Sequence, residues 1–273
     1  MPKFTVATWN INSVRLRHDL VMHFLREHQP DMLCLQETKC PNDMFPFGAF
    51  RKFGYQHIAI SGKKGYNGVA TLSRHPFAVT TKRHLDGREE DARHIGVTLA
   101  EEAGRAAGLT VHNFYVPAGG DIADPDVNVK FAHKLEFLAD LEAMAIEGRA
   151  TRRHEIIVGD LNIAPLEHDV WSHKQLLSVV SHTPIETTTL ERLRMAGGWI
   201  DTARALRPEP EKLYSWWSYR AADWAASNKG RRLDHIWLSD DLGRNAAQIE
   251  FLSAARGWER PSDHVPVIAT LEF

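Results

Sequence analysis

The segment Ile156-Ile157-Val158-Gly159-Asp160-Leu161-Asn162-Ile163 decides the fold of this chain. Its β-branched apolar residues predict a strand buried on both faces, and the glycine permits a sharp turn or a close approach to the backbone. Asp160 and Asn162 are two residues apart, so they point to the same side of an extended chain. Side by side, a carboxylate and a carboxamide can hold a hard cation, a water or a phosphate oxygen. Taken alone, however, Asp-x-Asn is more often a turn at a strand end, and the rest of the chain must decide.

The composition is that of an ordinary soluble globular protein. Of 273 residues, 43% are apolar and 25% charged, as is typical of that class. The formal net charge of −2 gives no global electrostatic argument for nucleic acid, so any basic surface must be local. Cys34 and Cys40 make no disulfide framework, which fits a reducing compartment. The N-terminus lacks the apolar segment of a signal peptide, and no apolar run approaches the ~18 residues of a membrane span. We expect a cytoplasmic protein without membrane contact.

Polar side chains follow the predicted strands at the points where they end. The pattern recurs along the whole chain, in Asn10 and Asn12, Glu37, Tyr115, Asp160 and Asn162, Asp234, and Asp263 with His264. Each residue is ordinary singly, but such ends can converge on one edge of a sheet. Helices are predicted over residues 14–28, 127–147 and 185–196 by apolar residues at helical spacing. The absence of any linker-like segment predicts one α/β domain over residues 1–273.

This set of side chains favours metal-assisted phosphoester chemistry. Several carboxylates with amides and no cysteine suit Mg²⁺ or Mn²⁺, which prefer oxygen ligands. The histidines show no H-x-x-x-H pattern for zinc. A G-x-x-x-x-G-K-S/T loop and a G-x-S-x-G elbow are also missing, which argues against a nucleotide triphosphatase and a serine hydrolase. Oxygen ligands with one histidine therefore point to hydrolysis by an activated water.

Two basic segments with aromatic residues are candidates for nucleic-acid contact. The loop from Ser61 to Gly68 contains Lys63, Lys64 and Tyr66, which can place ammonium groups and a ring against a phosphate chain. Its Asn67-Gly68 pair is also typical of a plain hairpin, so both interpretations stay open. The second segment runs from Ser215 to Arg232 and is rich in tryptophan and arginine.

The motifs together resemble the exonuclease III family of apurinic/apyrimidinic endonucleases, within the endonuclease/exonuclease/phosphatase superfamily. The similarity runs from Lys3 to the C-terminus and rests on W-N-I-N, L-Q-E-T-K, Y-V-P, G-D-L-N, R-L-D and S-D-H, which occur in the family's order. It implies a four-layer αββα sandwich of two packed mixed sheets, with the site at one edge. It also implies a monomeric DNA-repair nuclease that uses Mg²⁺ or Mn²⁺ on double-stranded DNA with abasic sites or 3′ ends.

The resemblance further implies roles for individual residues. Glu37 would be the principal metal ligand, and the wider ligand set would be Asn10, Glu37, Asp160, Asn162 and Asp263. The catalytic group would comprise Tyr115, Asp160, Asn162, Asp234 and His264. Which of Tyr115, Asp160 and His264 transfers the proton is left open. The residues expected to touch DNA are Asn12, Lys64, Tyr66, Arg93, Trp216, Trp217, Arg231, Arg232 and Leu233.

Three departures from the family's pattern bear on specificity. Ala118 stands where Asn or Gln usually follows Tyr-x-Pro, and Arg231 stands where a large apolar residue often lines the pocket for a flipped-out sugar. His173 is a candidate specificity residue that would project its ring toward the site. Removing a 3′-phosphate or a 3′-terminal nucleotide needs no flipping, so the hypothesis is that 3′-end processing at least equals abasic-site incision. Incision at ordinary strength is the competing expectation, with His173 on a helix surface.

Two other classes of function compete with a repair nuclease. One is a phosphatase or phosphodiesterase of the same superfamily acting on inositol phosphates, lipids or RNA; the segment 215–232 and the lack of an exposed apolar membrane loop argue against it. The other is a non-catalytic nucleic-acid-binding protein. That hypothesis predicts that some of the catalytic residues are replaced by other residues, and all of them are present.

Overall fold

The computed structural model describes residues 2–88, 91–151, 154–221 and 223–273. Its strands, in chain order, are β1 (Lys3–Asn10), β2 (Met32–Gln36), β3 (His57–Ser61), β4 (Val69–Ser73), β5 (Phe77–Thr81), β6 (His94–Leu99), β7 (Thr110–Tyr115), β8 (Glu155–Asp160), β9 (Trp199–Asp201), β10 (Trp216–Trp217), β11 (Gly230–Arg231), β12 (Asp234–Ser239), β13 (Ala246–Phe251) and β14 (Val267–Glu272). The α-helices are α1 (His18–His28), α2 (Phe47–Lys52), α3 (Val129–Arg149), α4 (His173–Leu176), α5 (Pro184–Gly197), α6 (Thr202–Leu206) and α7 (Trp224–Ser227).

Two six-stranded mixed sheets form the centre of the molecule. The first has the order β13-β14-β1-β2-β4-β3 and the second β5-β6-β7-β8-β12-β9. Within each sheet one neighbouring pair is parallel, β1 with β2 and β7 with β8, and the other pairs are antiparallel. A short ribbon of β10 and β11 lies outside both sheets.

The central strand β8 shows why the sheets pack in layers. Ile156 and Val158 belong to the apolar cluster between the two sheets, whereas Ile157 belongs to the cluster beneath α3 and α5. Successive strand residues face opposite sides, so a run of apolar residues buries both faces of the strand. A third cluster joins α1 and α2 to the outer face of the first sheet. The predicted four-layer αββα sandwich and the doubly buried strand are therefore confirmed.

Some predicted boundaries were wrong. The helix expected from residue 14 begins at His18, and Leu16, which precedes it, is 60% exposed. Residues 14–17 form turns instead, and the backbone N–H of Val14 donates to the carbonyl of Thr38 at 3.0 Å. Strands β5 and β13 and helix α2 were not predicted, and both strands lie at sheet edges with partly exposed faces.

In the described part of the chain, every helix is too short or too polar to span a lipid bilayer.

Candidate active site

The polar residues predicted at strand ends meet at one edge of the two sheets. Asn10 ends β1 beside Gln36 of β2, which is followed by Glu37. In the other sheet Tyr115 ends β7 opposite Asp160, the last residue of β8. Asp234 pairs with Asp160 from the antiparallel side. Register aligns the strand ends within each sheet, and the packing of the two sheets brings the two halves of the site together, as the hydrogen bond from Asn10 to Asp160 shows.

Backbone geometry sets how the G-D-L-N turn presents its side chains. Gly159 has φ +142°, and a Cβ there would lie 1.9 Å from the carbonyl oxygen of Phe114, so only glycine fits. Asn162 has φ 54°, a left-handed conformation that costs free energy for most residues and favours Asn. The backbone N–H of Asn162 donates to Asp160 Oδ1 at 2.9 Å, and its side-chain Nδ2 donates to Asp160 Oδ2 at 3.1 Å. The two residues therefore act as a unit.

The amide of Asn10 joins the carboxylates from the two sheets. Its Nδ2 donates to Glu37 Oε1 at 3.0 Å and to Asp160 Oδ2 at 2.8 Å. Glu37 also accepts a hydrogen bond from the hydroxyl of Tyr115 at 2.7 Å and pairs with Lys39 Nζ at 2.8 Å. Burial alone would raise the pKa of Glu37, but the charge of Lys39 and these donors hold that pKa below its ordinary value. Glu37 is consequently an anion at neutral pH.

Tyr115 is a hydrogen-bond donor here rather than a base. Burial and the neighbouring Glu37 and Asp160 carboxylates raise the pKa of Tyr115 well above its ordinary value. The phenol therefore stays protonated at neutral pH, and its hydroxyl donates a hydrogen bond to Glu37.

His264 lies between two buried carboxylates. Its Nδ1 is 2.8 Å from Asp234 Oδ2, and its Nε2 is 3.7 Å from Asp160 Oδ2. Burial disfavours the charged imidazole, but the Asp234 and Asp160 carboxylates outweigh that penalty and raise the pKa of His264. Burial also raises the pKa of Asp160, although the charge of His264 opposes this. The site thus holds an imidazolium beside a carboxylate with a strong tendency to take up a proton.

Two groups of residues compete as the cation site. Among the described residues, one group of acids and histidine has ligand atoms within 4.8 Å of one another, namely Asp160, Asp234 and His264. We regard it as a proton-sharing cluster, because an imidazolium facing both carboxylates repels a cation.

The residues around Glu37 fit a hard cation better. Lys39 Nζ lies 2.8 Å from Glu37 Oε2 and 2.6 Å from the amide oxygen of Asn12. The oxygen atoms of Glu37 and Asn12 therefore already bind a positively charged group at this place. Oxygen ligands are those that Mg²⁺ and Mn²⁺ prefer.

Asp263 lies on the other side of this group and is oriented by two donors. Asn12 Nδ2 donates to its Oδ1 at 3.2 Å, and Trp216 Nε1 donates to its Oδ2 at 3.0 Å. The preceding Ser262 donates to the carbonyl of Asn10 at 2.7 Å, which ties the S-D-H loop to β1. Trp216 therefore connects Asp263 to the segment from Ser215 to Arg232, which is rich in tryptophan and arginine.

A cavity of about 870 Å³ opens from the acidic site. Glu37, Asn162, Asp263 and His264 line one part of it, and Trp216, Trp217, Arg231 and Leu233 line the adjoining wall. The structure therefore places eight of the predicted site residues around one space. Lys64 and Tyr66 are exposed on their loop outside the cavity, and Lys63 lies 5.5 Å from the Tyr66 ring centroid.

Arg231 fills part of the space beside Trp216. Its guanidinium carbon lies 5.1 Å from the Trp216 ring centroid, within cation–π range. Its Nη1 donates to the carbonyl of Val180 at 3.0 Å and to the hydroxyl of Ser181 at 2.7 Å. The guanidinium is thus held against the Trp216 ring and the Val180–Ser181 segment, in the wall of the cavity that Trp216 and Leu233 also line.

Two predicted DNA contacts need correction. Arg232 was expected to touch DNA, but it is fully buried in ion pairs with Asp169 and Asp201. Arg93 is largely covered, since its guanidinium stacks 4.9 Å from the Tyr115 ring centroid and pairs with Asp91 at 2.9 Å. Only part of the Arg93 side chain is therefore available to DNA.

His173 does not project toward the site. Its Nδ1 lies 2.8 Å from Nε2 of His182, and the described residues that line the cavity do not include it. The first turn of α4 and the buried His182 ring determine its direction, and no local pattern of residues indicated this contact.

A buried lysine beneath the site was missed by the sequence analysis. Lys134 of α3 is fully buried and pairs with the equally buried Glu186 of α5. Its Nζ donates to the carbonyl of Asn162 at 2.8 Å and to that of Ala118 at 3.3 Å. The burial of Lys134 could have been predicted from the sequence. Lys134 stands three residues after Phe131 and four before Leu138, on the apolar face of the helix.

Comparisons with known proteins agree on a family. Residues 7–264 match the Endonuclease/Exonuclease/phosphatase family. The chain is 32% identical over 269 residues to exodeoxyribonuclease III of Haemophilus influenzae, covering 96% of this chain and 97% of that protein. It superimposes with a TM-score of 0.88 and 30% identity on a Neisseria 3′ phosphatase bound to a product DNA hairpin, covering 99% and 100% of the two chains. An AP endonuclease from Archaeoglobus fulgidus gives a TM-score of 0.88 with 31% identity, at coverage of 99% and 100%.

Proposed function

The chain belongs to the endonuclease/exonuclease/phosphatase family, and from that premise we propose that it is a DNA-repair nuclease of the exonuclease III type. It would hydrolyse phosphodiester bonds at abasic sites and at 3′ ends of duplex DNA in base excision repair. The observation that carries the proposal is the hydrogen-bonded group of Asn10, Glu37 and Asp160 beside a charged His264. A negatively charged phosphate at that edge would meet an imidazolium, two amides and a water-orienting carboxylate.

In the proposed reaction Asp160 orients the attacking water and accepts its proton. Its raised pKa suits that task, since a general base works best with a pKa near the operating pH. His264, held by Asp234, donates to a non-bridging oxygen and stabilises the negative charge that develops there. Asn162 Nδ2 already donates to Asp160 and to the carbonyl of Val116, so its amide oxygen accepts a hydrogen bond from the water. Protonated Tyr115 donates at the phosphate or leaving group. Proton acceptance is therefore assigned to Asp160 rather than to Tyr115.

We further propose Mg²⁺ or Mn²⁺ as the cofactor, held chiefly by Glu37 with oxygen atoms of Asn10, Asn162 and Asp263. Asp160, also predicted as a ligand, is assigned to proton transfer instead, because His264 faces its carboxylate. Such an ion neutralises phosphate charge and lowers the pKa of a bound water. The single domain over residues 1–273, the monomeric state and the cytoplasmic location stay predictions.

One assay tests the proposed function directly. Purified protein with Mg²⁺ is offered three matched duplexes, carrying an abasic site, a 3′-phosphate or a plain recessed 3′ end. We expect hydrolysis of at least one duplex at a catalytic rate. Binding without hydrolysis of any would favour the non-catalytic reading, and activity only on a small soluble phosphoester would favour the phosphatase reading.

The metal assignment predicts that Glu37→Gln weakens metal binding and activity together, because one anionic oxygen is lost from an oxygen-rich set. We expect the Mg²⁺ concentration for half-maximal activity to rise at least ~10-fold, and isothermal titration calorimetry to show weaker Mn²⁺ binding. Asp124→Asn, on an exposed loop, is the charge-matched control. Full wild-type activity in excess chelator would rule the assignment out.

DNA binding is expected to depend on salt despite the net charge of −2. Arg232 is excluded by burial, so the contributing cations are Lys63, Lys64, Arg231 and the exposed part of Arg93. Lys64→Ala should make the log–log salt slope shallower by about 0.9, the value for one phosphate contact on duplex DNA. Lys3→Ala is the control, because Lys3 lies at the opposite end of β1 from Asn10. An unchanged slope for Lys64→Ala would remove this loop from the interface.

The second part of the proposal concerns the preference between substrates. We assign this preference to Arg231 and not to His173. A flipped-out sugar must displace Arg231 from Trp216, whereas a 3′-phosphate need not enter that space. A cation–π contact of ~1–2 kcal/mol corresponds to a factor of roughly 5 to 30. Arg231→Leu is therefore expected to raise abasic incision relative to 3′-phosphate release by that factor. Arg244→Leu, on the exposed surface beyond β12, should leave the ratio unchanged; a constant ratio in Arg231→Leu would contradict the idea.

A further inference from the structure

The cavity extends past the wall formed by Trp216 and Arg231 and reaches Trp171 and Lys229. Four neighbouring chain segments form a narrow ribbon along this side of the cavity. His264 pairs with Trp216, Trp216 with Arg231, and Arg231 with Val170, the residue before Trp171. Since neighbouring strands lie about 4.8 Å apart, the ribbon is roughly 14 Å across. Trp171 therefore lies within a few nucleotide lengths of the proposed reaction centre, at the far edge of the same surface.

Trp171 is a fixed aromatic surface. Its backbone N–H donates to the carbonyl of Gly230 at 3.1 Å, and its carbonyl accepts from Lys212 Nζ at 3.2 Å. Its side chain packs against two apolar clusters, one containing Leu233 and the other containing Trp217. The ring is nevertheless only partly buried and lines the cavity.

A cation lies over this aromatic surface. Lys229 Nζ is 4.6 Å from the Trp171 ring centroid, and Lys229 is otherwise exposed. Arg220, also exposed, lines the same cavity, as do the carboxylates of Asp121 and Asp223. An aromatic ring flanked by cations is the combination that binds single-stranded nucleic acid, because a base stacks on the ring while the cations neutralise the backbone.

We propose that Trp171 and Lys229 form a subsite for an unpaired nucleobase, that of the nucleotide leaving at a mispaired 3′ end. The inference rests on the proposed nuclease function and names a substrate for that site. The sugar of the leaving nucleotide lies toward Trp216, and its base reaches Trp171. A paired base stays in the helical stack and cannot use the subsite, so a mispaired terminus gains a contact that a paired terminus lacks.

The test compares 3′-terminal nucleotide release from two recessed duplexes that differ only in a matched or mispaired last base. Stacking on one aromatic side chain is worth a factor of roughly 5 to 150. We expect Trp171→Leu to lower the mispaired-to-matched ratio of kcat/KM by a factor in that range, and Trp171→Phe to retain most of the wild-type ratio. Trp224→Leu is the control, since Trp224 packs against the same apolar cluster as Trp171 but is not among the described residues that line the cavity.

A binding measurement reports the subsite without catalysis. In the Asp160→Asn background with Mg²⁺, a mispaired 3′-terminal 2-aminopurine should lose fluorescence on binding, because stacking quenches this base. The quenching should be lost in the Trp171→Leu double variant and kept in the Trp171→Phe double variant. An unchanged ratio and unchanged quenching in folded Trp171→Leu protein would overturn the subsite. Failure of the wild type to hydrolyse either duplex would instead overturn the proposed function, and the quenching would still test the subsite.

Discussion

Asp160→Asn is expected to lower turnover by ~10²–10⁴-fold, the usual contribution of a group that transfers a proton in the transition state. Asp160 is 1% exposed and accepts hydrogen bonds from Asn10 and Asn162. Asparagine keeps the shape of the side chain but loses the capacity to take the proton of the attacking water. Because burial already disfavours the carboxylate charge, the neutral variant should fold. Its melting temperature is therefore expected to stay close to that of the wild type.

The measurement must separate turnover from binding. Loss of an interaction made only in the transition state lowers kcat and kcat/KM together, so we expect DNA affinity to change little. Single-turnover kinetics and a binding titration on the same 3′-phosphate duplex give the two quantities, with Asp124→Asn as control. A collapse of DNA affinity with turnover preserved would make Asp160 a binding residue and return proton acceptance to the other members of the group.

Lys134→Met is expected to lower the free energy of unfolding by ~3–5 kcal/mol, because breaking a buried ion pair leaves one charge without its partner. Glu186 would keep its bonds from Ser181 N, Thr183 N and Thr183 Oγ1 but lose the ammonium. The carbonyls of Asn162 and Ala118 would lose a donor as well. Urea denaturation followed by circular dichroism measures the change. Lys130→Met, at an exposed position one turn earlier on α3, is the matched control.

A double variant tests whether Lys134 only stabilises the fold or also positions the residues of the site. Lys134→Met with Glu186→Gln removes both charges, so much of the lost stability should return. The carbonyl of Asn162 still lacks its donor, so kcat should stay below the wild-type value. Recovery of kcat together with stability would show that Lys134 acts on the fold alone. A loss below ~1 kcal/mol in the single variant would contradict the assignment of a buried, charged pair.

The sequence by itself predicted the doubly buried strand and the polar residues at strand ends, and its family resemblance implied the layered fold. The run Ile156-Ile157-Val158 required apolar contacts on both faces, and the two clusters on either side of β8 supply them. Polar residues directly after apolar strands had to lie at strand ends, and sheet register brings such ends together. These signals are local, since the period of a strand and the preference of Gly or Asn for a turn are written in a few neighbouring residues.

Only the tertiary structure decided which charged groups face the cavity. Arg231 and Arg232 are adjacent, yet the first reaches the cavity and the second is buried against Asp169, 63 residues away in sequence. Lys134 likewise meets Glu186 across 52 residues. His173 turns to His182 because of a helix turn that no periodic pattern marked. The charge of an arginine or lysine is the same in every context of the sequence, whereas its burial and its partners depend on which distant segments pack against it.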